Sequence, residues 1–197
     1  MPRLVDHEAR RHEIVLATWR LIAERGIEAT TMRELARELG LANGSVTHYF
    51  PDKSAILTAA FAHVFAATNA RVAAHRARTG STGLTALRAF LLETAPLDEE
   101  RALEARIVIA FLEYAAADPA LAEMYRGLMR EWQQAFAEMV AEAREQGEVR
   151  DGLDVQAVSD AILHAINGMQ SNGILLPETA RDQRMRATVD ALVDMLR

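Results

Sequence analysis

Residues 31–53, TMRELARELGLANGSVTHYFPDK, constrain the fold more than any other part of the chain. Thr31 and Glu34 have the S/T-x-x-E spacing of a capping box. In that motif the hydroxyl accepts from the Glu34 N–H while the carboxylate reaches back to the Thr31 N–H. A helix is therefore predicted to begin at Met32, and Leu35, Ala36 and Leu39 follow at helical spacing. Gly40 can take the positive φ at which a helix stops and the chain turns. Residues 43–50 are too few to be stable alone. Val46 and Phe50, four apart, give this second short helix one apolar edge to press on the first. Its other edge carries Ser45, Thr47, His48 and Tyr49. Pro51-Asp52 then opens a third helix.

A small residue at Ala36, glycine at Gly40 and a branched apolar residue at Val46 match the helix-turn-helix pattern, in which close helix contact requires a small side chain. The wider stretch 14–57 resembles the N-terminal domain of the TetR (tetracycline repressor) family of transcriptional regulators. Gly26, Thr30-Thr31, Gly40, His48-Tyr49-Phe50 and Lys53 carry the likeness. The helix over 43–50 is expected to enter a major groove, where each base pair shows a distinct edge. Ser45 and Thr47 have groups to reach bases or phosphates, and Asn43 with Gly44 offers helix-start N–H groups to phosphate. Thr31 is a further phosphate candidate. The resemblance implies phosphate contacts for Tyr49 and Lys53 and a contact of either kind for His48. Arg10 and Arg11 read equally as a minor-groove arm or as solvated charge at a helix start.

The net charge of −6 over 197 residues runs against nucleic-acid binding, which is driven by counterion release. Its distribution answers the objection. Residues 1–55 hold eight basic and eight acidic residues, which leaves fourteen of the 22 basic and twenty of the 28 acidic residues to the remainder. The chain has no cysteine, so disulfides and thiolate metal sites are excluded. No apolar run approaches the roughly 20 residues of a membrane span. The opening MPRLVDHEARRHE lacks the apolar segment of a signal peptide. A soluble, cytoplasmic protein is expected.

The rest of the chain reads as helix throughout, giving an all-α fold of about nine helices. A three-helix DNA-binding domain over 1–55 is followed by a larger effector-binding and dimerisation domain over 56–197. The first helix should cover about residues 9–25 and close at Gly26. The fourth should run from an Asp52 cap to about residue 78, before the loop 79–83. A fifth ends at Pro96, and Asp98 caps a sixth. Asp118-Pro119 starts a seventh, with Leu121, Met124, Leu128, Trp132, Phe136 and Met139 inward. The eighth and ninth cover about 155–172 and 180–196.

Family resemblance assigns the last two helices to a four-helix bundle between two subunits. Ala157, Ala161, Ala165 and Gly168 permit close approach, and Val158, Ile162, Ile166, Val189, Leu192 and Val193 supply apolar area; packing within one chain accounts for the same pattern. Residues 165–170 and 174–177 resemble the C-terminal region of BetI-like members. The family also places an effector cavity among helices four to eight. Phe61, Phe65, Phe111, Tyr114, Trp132, Phe136 and Met139 are candidate walls, with Arg106, His164 or Asn167 as polar anchors, although core packing explains the aromatics equally well. Such a cavity suits a small hydrophobic or amphipathic effector.

No E-x-x-H metal pair, H-E-x-x-H, phosphate loop or G-x-S-x-G occurs, so no catalytic residue, metal or cofactor is expected. The competing reading is a helical small-molecule carrier or interaction module that keeps the hairpin without binding DNA.

Overall fold

A computed structural model describes residues 7–197, apart from the side chains of Ala23 and Asn43. Among the described residues nine α-helices follow one another: α1 His7–Ala29, α2 Met32–Glu38, α3 Asn43–Tyr49, α4 Lys53–Thr79, α5 Gly83–Thr94, α6 Glu99–Ala117, α7 Pro119–Glu145, α8 Val155–Leu175 and α9 Asp182–Asp194. A 3₁₀ turn, Pro177–Thr179, precedes α9, and no strand occurs among the described residues. The all-α reading holds. The eighth helix runs three residues beyond its expected end, because the 3₁₀ turn rather than Asn172 terminates it.

Local chemistry explains most boundaries. Asp52, Asp98 and Asp154 cap α4, α6 and α8 by accepting from N–H groups of their first turns at 2.8–3.1 Å. Asp118 accepts from Ala120 N and Leu121 N, with Pro119 at the first helical position of α7. Thr82 does not cap α5 itself. The first N–H groups of α5 are taken by carboxylates at and just beyond the C-terminal end of α7: Gly83 N donates to Glu142 Oε2 (3.1 Å) and Leu84 N to Glu148 Oε2 (2.8 Å). Two negative charges thus lie at the positive end of α5.

Gly26 breaks α1. Its φ of 77° and ψ of 171° are non-helical, so the regular helix stops at Arg25 and resumes for a short turn to Ala29. A residue with a Cβ is strained at that φ.

The helix-turn-helix unit packs α2 and α3 together and against α1, while α1 lies on α4 and α6. One hydrophobic core runs through the molecule. Ile14, Leu21, Leu35, Val46 and Phe50 belong to it at one end, and Phe111, Phe136, Val140 and Val189 at the other. Contrary to the absence of any such stretch expected above, α4 is long and apolar enough by composition to cross a membrane. Its apolar residues Ile56, Leu57, Ala60, Phe61, Val64 and Phe65 are buried among the other helices.

Ion pairs fix α4 at its C-terminal third. Arg71 donates to both carboxylate oxygens of Glu104 on α6 (2.8 and 2.7 Å), to Glu93 Oε2 on α5 (3.1 Å) and to Thr68 Oγ1 (3.3 Å). Arg76 pairs with Glu142 of α7. Arg101 secures Glu93 from the other side at 3.3 Å.

Candidate functional site

The turn between α2 and α3 is a Schellman motif. Leu41 N donates to Ala36 O (2.8 Å) and Gly40 N to Arg37 O (3.2 Å), with Gly40 at φ 62°. Half of the expected capping box forms. Thr31 Oγ1 accepts from Glu34 N (3.2 Å), but the Glu34 carboxylate turns outward to Arg25 (3.1 Å) and Arg37. Two guanidinium partners outcompete one backbone N–H for an ionised acceptor.

Val46 and Phe50 are fully buried, which fixes the roll of α3 and leaves Gly44, Thr47 and His48 exposed with Ser45 at the margin. Thr47 Oγ1 donates to Gly44 O at 3.1 Å. Gly44, Ser45, His48 and Tyr49 line a shallow concavity with Leu41 and Arg10. The His48 ring lies edge-on to Tyr49 at 5.4 Å, and His7 of α1 approaches both at 6.4 and 5.7 Å. The expected contribution of the Asn43 side chain lies outside the described residues; its backbone opens α3.

Three of the candidate cations have partners within the chain. Arg10 pairs with Glu13 (2.5 Å), and Arg11 donates to the Tyr49 carbonyl (2.8 Å) while covering the Phe50 ring at 4.4 Å, so it closes the C-terminus of α3. Lys53 is half-buried: its ammonium donates to the Ile27 carbonyl, which also accepts from Thr30 N (3.1 Å), and sits 5.5 Å from the Tyr114 ring. An ammonium has three donors, so this bond leaves others for an outside acceptor.

A small cavity lies between α4, α6, α7 and α8. Its walls are Phe61, Val64, Phe65, Thr68, Val108, Tyr125, Met129, Trp132, Leu163, Ile166, Asn167 and Gln170. Free space amounts to about 20 Å³, room for one or two waters. Phe65 stacks on Trp132 at 5.2 Å, and Trp132 Nε1 donates to Asn69 Oδ1 at 2.9 Å. Asn167 Nδ2 donates to the Tyr125 hydroxyl (3.3 Å) and Gln170 Nε2 to the Thr94 carbonyl (3.2 Å). None of the lining side chains is charged.

Of the ten candidate cavity residues, the structure brings Phe61, Phe65, Trp132 and Asn167 to the wall. Phe111 and Phe136 form a second layer, stacked on Phe61 at 4.1 Å and set edge-on to Phe90 at 4.9 Å. Met139 is buried away from the cavity, Tyr114 faces Lys53, and Arg106 and His164 are exposed and cannot anchor anything inside. Tyr125, Met129 and Gln170 were missed. On α7 Leu121, Met129, Trp132 and Phe136 are buried, while Met124, Leu128 and the cavity-lining Tyr125 are half-buried. The signal for Gln170 is a polar residue repeating four after Ile166 on a buried face.

On α8 and α9, Val158, Ile162, Ile166, Val189 and Val193 are buried within this chain. Packing within one chain accounts for them. Ala157 and Ala161 remain exposed, and Ala165, Gly168 and Leu192 line a groove with Thr188 and Arg184. Leu175, Leu176 and Met195 are the exposed large apolar side chains of the described residues.

The fold is thus a helix-turn-helix unit packed on a helical bundle that holds a small, largely apolar cavity. Residues 14–60 match the model for bacterial regulatory proteins of the TetR family, and residues 83–197 match the C-terminal model of BetI-type transcriptional repressors. The chain belongs to the TetR family, with a BetI-type C-terminal region. It is 37% identical over 115 residues to the transcriptional regulator PksA of Bacillus subtilis, covering 58% of this chain and 56% of PksA. Identity to BetI of Burkholderia thailandensis is also 37%, over 91 residues, 46% of this chain and 47% of that one. The chain thus spans about half the length of these relatives. A transcriptional regulator from Saccharomonospora viridis, solved in complex with choline, shares the fold with a TM-score of 0.85 at 21% identity, covering 95% of this chain and 96% of that one.

Proposed function

We propose that the protein is a ligand-responsive, cytoplasmic transcriptional repressor that binds a near-palindromic DNA operator as a homodimer and is released by a small effector. The observation that carries the reading is α3 itself, anchored by Val46 and Phe50 and presenting Gly44, Thr47 and His48 at the surface. A helix so held fits a major groove. Residues 1–55 serve as the DNA-binding unit and 56–197 as the effector and dimer unit. Thr47 and Ser45 read bases. Thr31, Gly44, Tyr49 and Lys53 meet phosphates, as does Asn43 through its backbone, and His48 contacts either. One helix-turn-helix offers too little contact for tight specific binding, so two copies about one helical turn apart are required.

The exposed Ala157 and Ala161, with Gly168, Leu192 and Met195, supply the dimer face. The uncharged cavity with four rings, Phe61, Phe65, Tyr125 and Trp132, supports a neutral or cationic amphiphile as effector, because rings attract a cation over their faces and no cation stands ready for an anion. A choline complex of a structural neighbour agrees with that chemistry. Effector binding shifts α4 and alters the spacing of the two α3 helices, with a coupling of about 1–3 kcal/mol. The family is one of regulators rather than enzymes, and no cofactor enters this reading.

Selection of bound duplexes from a random pool, followed by mobility shifts, tests it. Two half-sites should emerge, and affinity should fall steeply with salt. Tyr49→Ala should weaken binding to all sequences alike, and Thr47→Ala should change preference at one or two base pairs by about 1–3 kcal/mol each. Salt-independent or undetectable duplex binding would leave the carrier reading in its place.

A further inference from the structure

One cluster lies outside both the groove-reading face and the cavity. His12 and Trp19 stand seven residues apart on α1, about 10.5 Å along its axis, and the imidazole of His63 on α4 sits between them. Its ring centroid is 5.0 Å from His12 and 4.9 Å from Trp19, to which it is set edge-on. Trp19 is 6% exposed, and its indole Nε1 is buried without a hydrogen-bond partner. His63 is half-buried and His12 exposed. The contact joins the helix that carries the helix-turn-helix unit to the helix that borders the cavity.

Its electrostatic setting is plain. From α1, the charge that bears on His63 is His12. Glu8 stands one turn before His12; Glu13 is paired with Arg10, and Arg11 is engaged at Tyr49. On α4 the neighbouring positions 59, 60, 62, 66 and 67 are all alanine, and Arg71, two turns on, is held by Glu93 and Glu104. No carboxylate of α5 or α6 contributes to the charge balance of His63.

We propose that His12 and His63 form a proton-responsive joint between α1 and α4, closed while the His63 ring is neutral and loosened when acidification charges that ring 5.0 Å from His12. Burial first, and His12 second, hold the His63 imidazolium below its ordinary 6.5. The sign follows: a histidine with a depressed folded-state pKa favours the folded contact above its unfolded value, and the favour is lost as pH falls from 6.5 through the lower value. The consequence for operator affinity rests on the repressor reading; the joint itself does not.

The test has two arms. In a Trp132→Phe background the emission of Trp19 reports protonation of the adjacent ring, because an imidazolium quenches indole. Quenching on acidification, with a midpoint below 6.5, is expected; His63→Phe should abolish it, and His12→Ala should move the midpoint upward. In the second arm, operator affinity is measured from pH 7.5 to 5.5 for the wild-type and His63→Phe proteins. The two proteins differ only at position 63, so the ratio isolates the joint, and that ratio should fall several-fold towards acid pH. Equal quenching in His63→Phe, an unmoved midpoint in His12→Ala, or a ratio constant with pH would overturn the proposal. Failure to bind any duplex would instead reject the repressor reading, with the fluorescence arm still deciding the joint.

Discussion

Replacing Arg71 by methionine should destabilise the protein far more than replacing Arg71 and Glu104 together. Glu104 has 4% of its side chain exposed and is held almost wholly by the two Arg71 bonds. Burial pushes its carboxyl above the usual range despite that partner, while the same bonds make Arg71 hold its proton more firmly. The two shifts pull in different senses. The buried carboxylate decides the balance, because Arg71 keeps 27% of its side chain in solvent. Arg71→Met strands an ionised group, a loss of about 3–5 kcal/mol, or roughly 6–20 °C in Tm for a chain of this size. Arg71→Met with Glu104→Leu removes both charges, leaves Glu93 to Arg101, and should recover most of the loss. A pH signature accompanies this. A carboxyl with a raised folded-state pKa is most favourable to folding below its unfolded value of 4.5 and loses that favour as pH rises through the raised one. The Arg71→Met deficit should therefore be large at pH 8 and shrink towards pH 5. Thermal unfolding followed by circular dichroism at the two pH values measures it. A double variant as unstable as the single one, or a deficit independent of pH, would refute the reasoning.

Gly40→Ala meets no atom within 4 Å, so its cost is left-handed backbone strain alone, about 1–2 kcal/mol; urea unfolding should show a lower midpoint at unchanged m. Glu148→Ala removes the acceptor for Leu84 N at the start of α5 and should cost about 1 kcal/mol in the same assay. Arg11→Met uncouples the Tyr49 carbonyl and Phe50 from α1. It should speed hydrogen exchange in α3 while leaving α7 to α9 unchanged, and uniform acceleration would refute it.

Where a feature is local, the sequence states it well. The caps at Thr31, Asp52, Asp98 and Asp118, the stop at Gly40 and the helical character of every segment follow from spacing of a few residues. The face of a long helix does not. Leu121, Met124, Leu128 and Trp132 form a plausible stripe, yet Met124 lies about 100° round the helix from Tyr125, and only neighbouring helices decide which arc is covered. The cavity suffered most from this. Its aromatic walls were legible as apolar, but which ring faces space and which backs it depends on packing between α4, α6 and α7. Arg106 and His164 failed as anchors for the same reason, since a polar residue on a bundle helix reads identically whether it faces inward or out. Lys53 could not be placed because its partner, the Ile27 carbonyl, lies 26 residues earlier and is brought to it only by the packing of α1 on α4.

The bonds along α4 are unevenly distributed, and this bears on how an effector would be felt at the operator in the reading proposed above. Directed ionic bonds hold the helix at Arg71 and Arg76, whereas residues 56–65 meet their neighbours mainly through apolar contact, which resists sliding and tilting less than a fork of hydrogen bonds does. Phe65 lies six residues before Arg71, about 9 Å along the axis, and Lys53 eighteen residues, about 27 Å. A tilt about the Arg71 bonds that moves Phe65 by about 1 Å therefore moves the Lys53 end by about 3 Å. With about 20 Å³ free between the walls, any effector larger than a water or two must displace side chains or helices, and α4 contributes Phe61, Val64, Phe65 and Thr68 to those walls. The end that moves farthest is the one that carries Lys53, bonded to Ile27 beside the helix-turn-helix unit.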